Sequence, residues 1–416
     1  MIERFDAGDP AALRRPAGRE DPALLDAVRR IVDDVRARGW DALAEQALRI
    51  DGAAPELVAV APFAEQARRT LPPEAIAAMA LARRNIETFH RQTRPRDVEV
   101  ETMPGLIVGK QWRALGSAGL YVPGGKAPLF STLMMLAIPA LVAGVGRLVV
   151  VTPPREGGGL DPAIALAAEL CGIEAIWTVG GAQAIAALAF GAGEIPAVDR
   201  IAGPGNAWVA AAKGLVASLP GGPGIDLPAG PSELMVIADS SADPAIVAAD
   251  LLSQAEHDAA AQVILVTPDG ALIDAVERAF VQQAGMMTGG FAPARAILCR
   301  DLDEALAVAN LYAPEHLSLA TGQPDALIAR ITSAGAIFAG HDAAETFGDY
   351  LAGSSHVLPT DGAARFTGGV STLSFMKAIT VQRVSRAAAR AMAGPAAALA
   401  RLEGLEAHAR AAECRA

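Results

Sequence analysis

The sequence predicts an α/β fold with two parallel-sheet domains, and three observations support this prediction. The chain has 416 residues, of which 52% are hydrophobic and 19% charged, so it carries enough apolar material for two buried cores. Short apolar runs alternate with segments of helical length, as in parallel sheets that are covered on both faces. Proline and glycine crowd residues 220–231, which separate the runs into two groups.

Helical periodicity dominates the N-terminal part of the chain. It extends over residues 22–50, and a second long helix is expected from Pro73 to His90, with His90 at the surface. We expect this helical segment to pack on the second sheet unit. Residues 22–120 and 232–370 would then form a first, discontinuous α/β domain after an N-terminal extension of residues 1–21.

Seven apolar runs predict strands at residues 148–151, 175–179, 200–202, 234–237, 263–266, 296–298 and 336–338. The first three belong to a second α/β domain at residues 121–231. Residues 129–151 predict a buried helix followed by a central strand, because Pro139 and Arg147 interrupt any membrane span. Residues 371–416 are rich in Ala and Arg and predict a helical tail without a strand, which folds back or reaches a partner subunit.

Composition excludes several classes of protein. The net charge of −11 and the lack of a basic stripe argue against a nucleic-acid partner. The three cysteines, Cys171, Cys299 and Cys414, have no disulfide or zinc-site spacing, which fits a reducing compartment. The N-terminus resembles no signal peptide. We therefore expect a cytoplasmic enzyme without a membrane partner.

Glycine-rich turns follow two predicted strands, at residues 180–183 and 203–206, and both open helices. Glycine lets a phosphate approach the backbone, and the helix N-terminus supplies amide donors. Neither turn matches the GxGxxG fingerprint, so ordinary strand-to-helix turns are the simpler interpretation of the spacing alone. Residues 121–126 form a third such turn, in which Lys126 is more simply a solvated lysine than a phosphate ligand.

Gln254 and His257 lie three residues apart at the end of a predicted helix and could hold one ion on a shared face. A polar helix end is the alternative interpretation. Asp349 and His408 are remote candidates that would complete a set of two nitrogen and two oxygen ligands, acceptable to zinc. Spacing alone does not bring these four residues together.

Glu315 and His316 place an acid beside an imidazole directly after a proline. Histidine titrates near neutral pH and suits proton transfer, so the pair is a candidate acid–base couple. A surface Glu-His pair is the alternative. His356 follows Asp349 closely in the sequence and is a candidate for the same site.

A series of motifs resembles the histidinol dehydrogenase family over about residues 22–412. The motifs, in the order of the family, are GLYVPGG (119–125), APLFSTLMMLAIPA (127–140), VGGAQAIAALAFG (179–191), GPGN (203–206), PAGPSELMVIAD (228–239), DLLSQAEHD (250–258), YAPEHL (312–317), GDYLAG (348–353), HVLPT (356–360) and EGLEAH (403–408).

The resemblance implies two Rossmann-like parallel-sheet domains and a zinc-dependent, NAD-linked oxidation of L-histidinol through L-histidinal to L-histidine, the last step of histidine biosynthesis. It implies one zinc ion per subunit, bound by Gln254, His257, Asp349 and His408. The last ligand would come from the partner chain of a homodimer with a shared active site, so that residues 371–416 form a swapped dimerisation tail.

The resemblance also implies roles for the other motif residues. Glu315 and His316 would be the catalytic acid–base pair. The expected NAD contacts are Tyr121, Gln183 and Asn206. The expected substrate contacts are Ser232, Gln254, His257, His316, Asp349, His356, Glu403 and His408.

The chain departs from the family pattern at Ser354-Ser355, at Ser374 and Ala378, and in a shortened segment at residues 285–293. These departures bear on substrate details and dimer packing. His356 and Glu403 favour histidinol over another small alcohol, such as a sulfonated diol, as the substrate of a related enzyme. A zinc hydrolase would leave the NAD-type turns unexplained, and a non-catalytic metal- or nucleotide-binding protein should have lost part of the acid–base and ligand set.

Overall fold

The computed structural model describes residues 2–15, 21–124, 129–155, 157–227 and 230–416. The strands are β1 (Glu3–Asp6), β2 (Leu57–Ala59), β3 (Val98–Met103), β4 (Leu106–Ala114), β5 (Ser117–Tyr121), β6 (Arg147–Thr152), β7 (Ala175–Thr178), β8 (Arg200–Ala202), β9 (Gly224–Ile225), β10 (Glu233–Ala238), β11 (Gln262–Thr267), β12 (Ala294–Leu298), β13 (His316–Ala320), β14 (Ala336–Ala339) and β15 (Met376–Val384).

The helices are α1 (Pro22–Arg38), α2 (Trp40–Ile50), α3 (Ala61–Thr70), α4 (Pro73–Thr93), α5 (Phe130–Ala143), α6 (Pro162–Leu170), α7 (Gly181–Phe190), α8 (Ala207–Ser218), α9 (Pro244–Ala255), α10 (Gly270–Ala284), α11 (Leu302–Tyr312), α12 (Pro324–Ile328), α13 (Glu345–Tyr350), α14 (Arg386–Leu402) and α15 (Glu406–Glu413). Short 3-10 turns lie at Pro10–Leu13, Ala363–Arg365 and Thr372–Phe375.

Two six-stranded sheets organise the fold. The first sheet has the order β2-β7-β6-β5-β8-β9, and it is parallel except for β2 at its edge. The second sheet has the order β1-β12-β11-β10-β13-β14, and all its strands are parallel. The strands β5 to β9 of the first sheet and β10 to β14 of the second can each be numbered 1 to 5 in chain order. Both sets then lie side by side in the order 3-2-1-4-5, which is that of doubly wound folds. The predicted α/β class with two parallel sheets is therefore confirmed, and each of the seven apolar runs coincides with a strand.

The N-terminal helices pack on the first sheet, so the expectation that they join residues 232–370 is wrong. The apolar stripe of α1, which includes Val28 and Val32, shares one buried cluster with α7 and α8. Helices α3 and α4 contact α6 and α5 on the opposite face of the same sheet. The periodicity of α1 showed that one face is buried but carried no information about its partner. Only β1, from the expected N-terminal extension, joins the second sheet.

The C-terminal tail contains a strand, which the sequence analysis did not foresee. Nine residues of β15 pair antiparallel with β4, and β3 completes a three-stranded antiparallel sheet. The strand contains three consecutive β-branched residues, Ile379, Thr380 and Val381, but no residue after Met376 is buried, so no buried face marks this segment as a strand in the sequence. The tail is thereby attached to residues 98–114 before α14 and α15 begin.

Two further expectations concern single features of the chain. Residues 130–152 form a buried helix followed by a strand, as predicted, and none of the helices in the described ranges combines the length and apolar character needed to cross a bilayer. His90, expected at the surface, is instead fully buried on α4, where its backbone carbonyl accepts a hydrogen bond from Thr372.

Candidate active site

A pocket of about 200 Å³ lies between the two sheets and gathers most of the predicted site residues. One wall, called the upper wall here, lies at the carboxyl ends of the strands of the first sheet and includes Gly203 and Pro204, which directly follow β8. Its lower wall is the amino edge of the second sheet, because Glu315 and His316 stand at the start of β13. The predicted site residues that line it are Ser232, Gln254, His257, Glu315, His316, Asp349 and His356.

Chain direction explains why residues from distant motifs meet at this edge. Helix α9 follows β10 and runs back across the second sheet, so its C-terminal end returns to the amino edge and carries Gln254 there. Strand β13 lies beside β10, with His316 level with Leu234. Helix α13 and the loop after it bring Asp349 and His356 to the same place.

Glu315 and His316 are both buried and both contact the backbone of Glu233. The Glu233 N–H donates to Oε2 of Glu315 at 2.8 Å. Nδ1 of His316 donates to the Glu233 carbonyl at 3.0 Å, which leaves Nε2 as the basic nitrogen, 3.8 Å from Oδ1 of Asp349. The ring stacks on Phe338 with centroids 5.9 Å apart. The imidazole is thus held in one tautomer with its free nitrogen facing the pocket wall.

Burial sets the protonation states of this pair. Desolvation lowers the pKa of His316 to about 4, although Asp349 favours the charged ring, so the imidazole is neutral near pH 7. Desolvation also raises the pKa of Glu315 well above its usual range, while the Glu233 N–H opposes this shift. A neutral imidazole and a carboxyl of raised pKa are suited to accept and return protons near neutrality.

Gln254 and His257 offer free ligand atoms to the pocket. The Gln254 side chain is fully buried, and neither its amide oxygen nor its nitrogen has a hydrogen-bond partner among the described residues. Nδ1 of His257 donates to the Ser253 carbonyl at 2.8 Å, which directs Nε2 outward, as in a metal-binding histidine. A buried unpaired amide is costly unless something binds it, so this set fits a metal ion.

Glu345 is a site residue that the sequence analysis missed. Its Oε1 lies 3.4 Å from Nδ1 of His316, and burial raises its pKa well above the usual range. His316, Glu345 and Asp349 form a cluster of potential metal ligands within 4.8 Å of one another. The four-residue spacing of Glu345 and Asp349 on α13 places them on one helix face and could have identified the pair. Asp349 belongs both to this cluster and to the predicted set with Gln254 and His257, and we favour the predicted set because the buried Gln254 amide has no partner among the described residues.

His356 connects the two walls of the pocket. Its Nδ1 lies 2.9 Å from the Asp349 carbonyl, and its Nε2 lies 3.3 Å from the hydroxyl of Thr132 on α5. Burial lowers the pKa of His356, so this ring is also neutral near pH 7. It therefore supplies hydrogen-bonding capacity rather than positive charge beside Asp349.

A second and larger cleft of about 750 Å³ opens between α1, α2, α7 and α8, and Gln183 and Asn206 lie in its wall. Asn206 begins α8 by accepting from the N–H groups of Trp208 and Val209. The Oε1 atom of Gln183 is buried and has no partner within the described part of the chain. The volume suits a cofactor of dinucleotide size, and the orphaned amide oxygen suits a polar ligand.

The start of α7 carries side-chain contacts that the glycine pattern did not reveal. The N–H of Gly180 and the side-chain amide of Gln183 both donate to Asp51, at 3.0 and 3.1 Å. The hydroxyl of Tyr121 accepts from the N–H of Gly181 at 3.2 Å. Asp51 thus binds the residue before α7, and Tyr121 binds the first N–H group of the helix.

Two predicted site residues lie away from the pocket in this single chain. Glu403 ends α14 and His408 lies on α15, and both are exposed. Neither is among the residues that line the pocket. Lys126, of the third glycine turn, falls outside the described residues.

Comparison with known proteins identifies relatives over nearly the whole chain. A family model described as histidinol dehydrogenase matches residues 14–416. Curated proteins named histidinol dehydrogenase include one from Xanthomonas euvesicatoria pv. vesicatoria, 46% identical over 412 residues, which covers 97% of this chain and 95% of that protein. Another, from Rhizobium meliloti, is 47% identical over 393 residues, with 92% and 90% covered. The crystal structure of histidinol dehydrogenase from Elizabethkingia anophelis superposes with a TM-score of 0.94 at 37% identity, covering 100% of this chain and 98% of that chain.

Proposed function

Since the chain belongs to the histidinol dehydrogenase family and is an oxidoreductase, we propose that it converts L-histidinol to L-histidine through L-histidinal in a zinc-dependent, NAD-linked four-electron oxidation. One observation carries the proposal. The buried Glu315–His316 pair lines the same pocket as Gln254, His257 and Asp349, which combines an acid–base couple with a set of ligand atoms.

Gln254, His257 and Asp349 would hold the zinc ion, together with His408 of a second copy. Zinc, when bound, supplies a template for the imidazole and amine of histidinol and so orients the alcohol carbon. Ser232 and His356 lie in the same wall and would contact the substrate beside the metal. The pocket of about 200 Å³ is matched to a molecule of this small size.

His316 would act as the base in the first oxidation. Its Nε2 is unpartnered among the described residues, and the ring is neutral because burial holds its pKa at about 4. It can therefore take the alcohol proton while its Nδ1–H stays bound to the Glu233 carbonyl. NAD, when bound, accepts a hydride in each of the two oxidations.

Glu315 would activate the water that hydrates the aldehyde before the second oxidation. Neither Cys171 nor Cys299 is suited to act as a thiolate nucleophile towards the aldehyde. Both are buried, and desolvation raises their pKa values to about 12 and about 11. Neither thiol lines the pocket. The oxidation of one histidinol would consume two NAD and one water.

NAD would occupy the larger cleft, with Tyr121, Gln183 and Asn206 as contacts. Because the Asp51 carboxylate accepts from Gly180 at that glycine turn and the Tyr121 hydroxyl accepts from Gly181, the dinucleotide phosphates would not bind there in the manner of the GxGxxG fingerprint. The orphaned oxygen of Gln183 and the exposed side chain of Asn206 would instead make polar contacts with the nucleoside portions.

A homodimer would complete the site. His408 and Glu403 are exposed on the tail, next to three exposed leucines, Leu399, Leu402 and Leu405. This apolar surface needs a cover, and a second copy docked on it would bring His408 to the pocket as the fourth ligand. We assign the dimer to the cytoplasm, in keeping with three unpaired cysteines.

The test is L-histidinol-dependent reduction of NAD by the zinc-loaded protein. We expect two NADH per histidine formed and loss of activity after chelation, restored by added zinc. Complete inactivity with histidinol would contradict the proposal. Activity with a sulfonated diol instead would assign the chain to a related alcohol dehydrogenase, and zinc and NAD binding without turnover would indicate a non-catalytic protein.

A further inference from the structure

The backbone of one residue, Glu233, orients both members of the acid–base pair. The Glu233 N–H donates to Glu315 at 2.8 Å, and the Glu233 carbonyl accepts from His316 at 3.0 Å. These two groups belong to the consecutive peptide units that meet at the Cα of Glu233, the first residue of β10, where the chain enters the second sheet from the loop that carries Ser232. Any movement of Glu233 would therefore displace the Glu315 carboxyl and rotate the His316 ring together.

The side chain of Glu233 anchors this residue in the fold. It is only 1% exposed, and Arg15 donates to both of its carboxylate oxygens, at 2.6 and 3.1 Å. The N–H of Asp361 adds a bond of 3.2 Å. Burial raises the pKa of Glu233, and the Arg15 guanidinium opposes this shift. A buried carboxylate of this kind is stable only while its partner remains.

Arg15 also holds the turn that leads into Glu315. The same guanidinium donates to the Tyr312 carbonyl at 2.7 Å and stacks over the Tyr312 ring, 3.8 Å from its centroid. Tyr312 ends α11, and Ala313 follows in the left-handed region with φ of 57°. This conformation is unfavourable for alanine and needs support from its surroundings.

We propose that Arg15 is a positioning residue for the Glu315–His316 pair, acting through the Glu233 backbone and the Tyr312 carbonyl. The inference rests on the proposed function, because it assigns the role of Arg15 within that reaction. Arg15 lies in the N-terminal segment and touches neither Glu315 nor His316 directly. The Arg15 guanidinium binds both carboxylate oxygens of Glu233 and also the Tyr312 carbonyl. It therefore holds together the two chain segments that lead to the reacting groups.

Loss of the guanidinium should affect turnover more than binding. Without Arg15 the buried Glu233 carboxylate loses its charged partner, and the backbone of Glu233, which aligns both reacting groups, is free to shift. Displacements on the order of 1 Å at reacting groups lower rates by about 100-fold. Gln254, His257 and Asp349 do not contact Arg15, so metal and substrate binding should persist.

The experiment measures kcat, KM for L-histidinol and zinc content for Arg15→Met, Arg15→Lys and Arg4→Met. We expect kcat of Arg15→Met to fall by about 10- to 100-fold with KM within about threefold and zinc retained. Arg15→Lys keeps the positive charge but cannot bind both carboxylate oxygens of Glu233 as the guanidinium does, so its kcat should lie between those of Arg15→Met and the natural chain. Arg4→Met is the matched control, since Arg4 ties the same segment to Asp274 and Glu277, at 2.7 and 2.6 Å, away from the pocket.

A double-mutant cycle with Glu233→Gln tests the route. Removal of Arg15 should lower kcat less in the Glu233→Gln background than in the natural chain, because the charge that it neutralises is gone. Equal losses in both backgrounds, a natural kcat in Arg15→Met, or the same loss in Arg4→Met would overturn the inference. If Arg15→Met does not fold, the kcat of Arg15→Lys decides, and a value equal to that of the natural chain overturns it. Failure of the proposed function is distinct, because the unsubstituted protein would then be inactive.

Discussion

At the scale of single residues, His316 owes its chemistry to burial and to one backbone carbonyl, that of Glu233. Its motif identified an acid–imidazole pair but could not show that one ring nitrogen is committed to a carbonyl and the other is free. That division follows from the pairing of β13 with β10, which places His316 beside the start of a neighbouring strand.

The His316→Asn variant should separate proton transfer from metal binding. We expect turnover with histidinol to fall by about 100- to 10,000-fold, because asparagine cannot accept the alcohol proton, while bound zinc remains. Steady-state assays and metal analysis check both quantities. His341→Asn, on a loop with Ser241 as its partner, serves as the control. Loss of zinc from His316→Asn would show that this ring is a ligand and that the base is another group.

The Gln254→Leu variant should have opposite effects on the apo and zinc-loaded protein. The buried amide has no partner among the described residues, so its replacement by an apolar side chain should leave metal-free stability unchanged or higher. The stabilisation gained on adding zinc should shrink, because one ligand is lost. Thermal unfolding with and without zinc measures both effects.

Gln46→Leu provides the contrast for Gln254→Leu. The Gln46 amide is also buried, but it donates to Asp34 at 2.7 Å. We expect this variant to lose about 1–2 kcal/mol of stability with or without zinc. An equal loss in metal-free Gln254→Leu would argue against a ligand role for Gln254.

At the scale of elements, two glycines with positive φ separate neighbouring helices or strands. The sequence predicted one helical segment over residues 22–50, but Gly39 adopts φ of 60° and divides it into α1 and α2. The β3–β4 hairpin turns at Gly105, with φ of 78°. This turn was not foreseen, although a Pro-Gly pair between two stretches rich in valine and isoleucine is a recognisable hairpin pattern.

Replacing Gly105 by alanine should weaken the contact between this hairpin and the tail. An added Cβ would overlap the Ser385 hydroxyl, and the positive φ is unfavourable for alanine, so we expect a loss of about 1–3 kcal/mol in the free energy of unfolding. Urea denaturation measures the loss.

Gly214→Ala is the matched control for Gly105→Ala. Gly214 lies in α8 with open space around its Cβ position, so alanine should stabilise the protein by about 0.5–1 kcal/mol. If both substitutions shift the unfolding midpoint in the same direction, the interpretation of the Gly105 turn is wrong.

At the scale of the whole molecule, the pocket depends on how two domains face each other. Its upper wall comes from the first sheet and its lower wall from the second, and His356 spans them through Thr132. In the proposed reaction, a second chain would complete this pocket through its tail, on which His408 is exposed.

Mixed dimers test the shared site. Chains with His408→Ala and chains with His257→Ala should each be inactive as homodimers, because each lacks one zinc ligand in every site. A mixed dimer should regain activity, since one of its two pockets then receives a complete ligand set. Assays on purified, differently tagged mixed dimers measure this recovery, and absence of recovery would contradict exchange of the tail.

His90 should make stability sensitive to acid. Burial lowers its pKa from 6.5 to about 4, so the unfolded chain binds a proton that the folded chain does not between these values. The contribution of neutral, buried His90 to the free energy of unfolding is fully present above pH 6.5. It declines as the pH falls towards 4, and about 2 kcal/mol of it is lost at pH 5. The difference in urea midpoint between pH 7 and pH 5 should be smaller in His90→Gln than in the natural chain. Equal differences would show that His90 does not carry this dependence.

The sequence by itself determined the α/β class, the seven apolar strands and the motifs that contribute the pocket. Hydrophobic periodicity reports which face of an element is buried, and motif residues report which chemistry is available. Only the tertiary structure decided that α1 to α4 cover the first sheet, that Asp51 binds Gly180 and Gln183, and that Arg15 binds the Glu233 carboxylate. These contacts join residues that are distant in the sequence, and no local pattern specifies which buried surface or charge will be the partner.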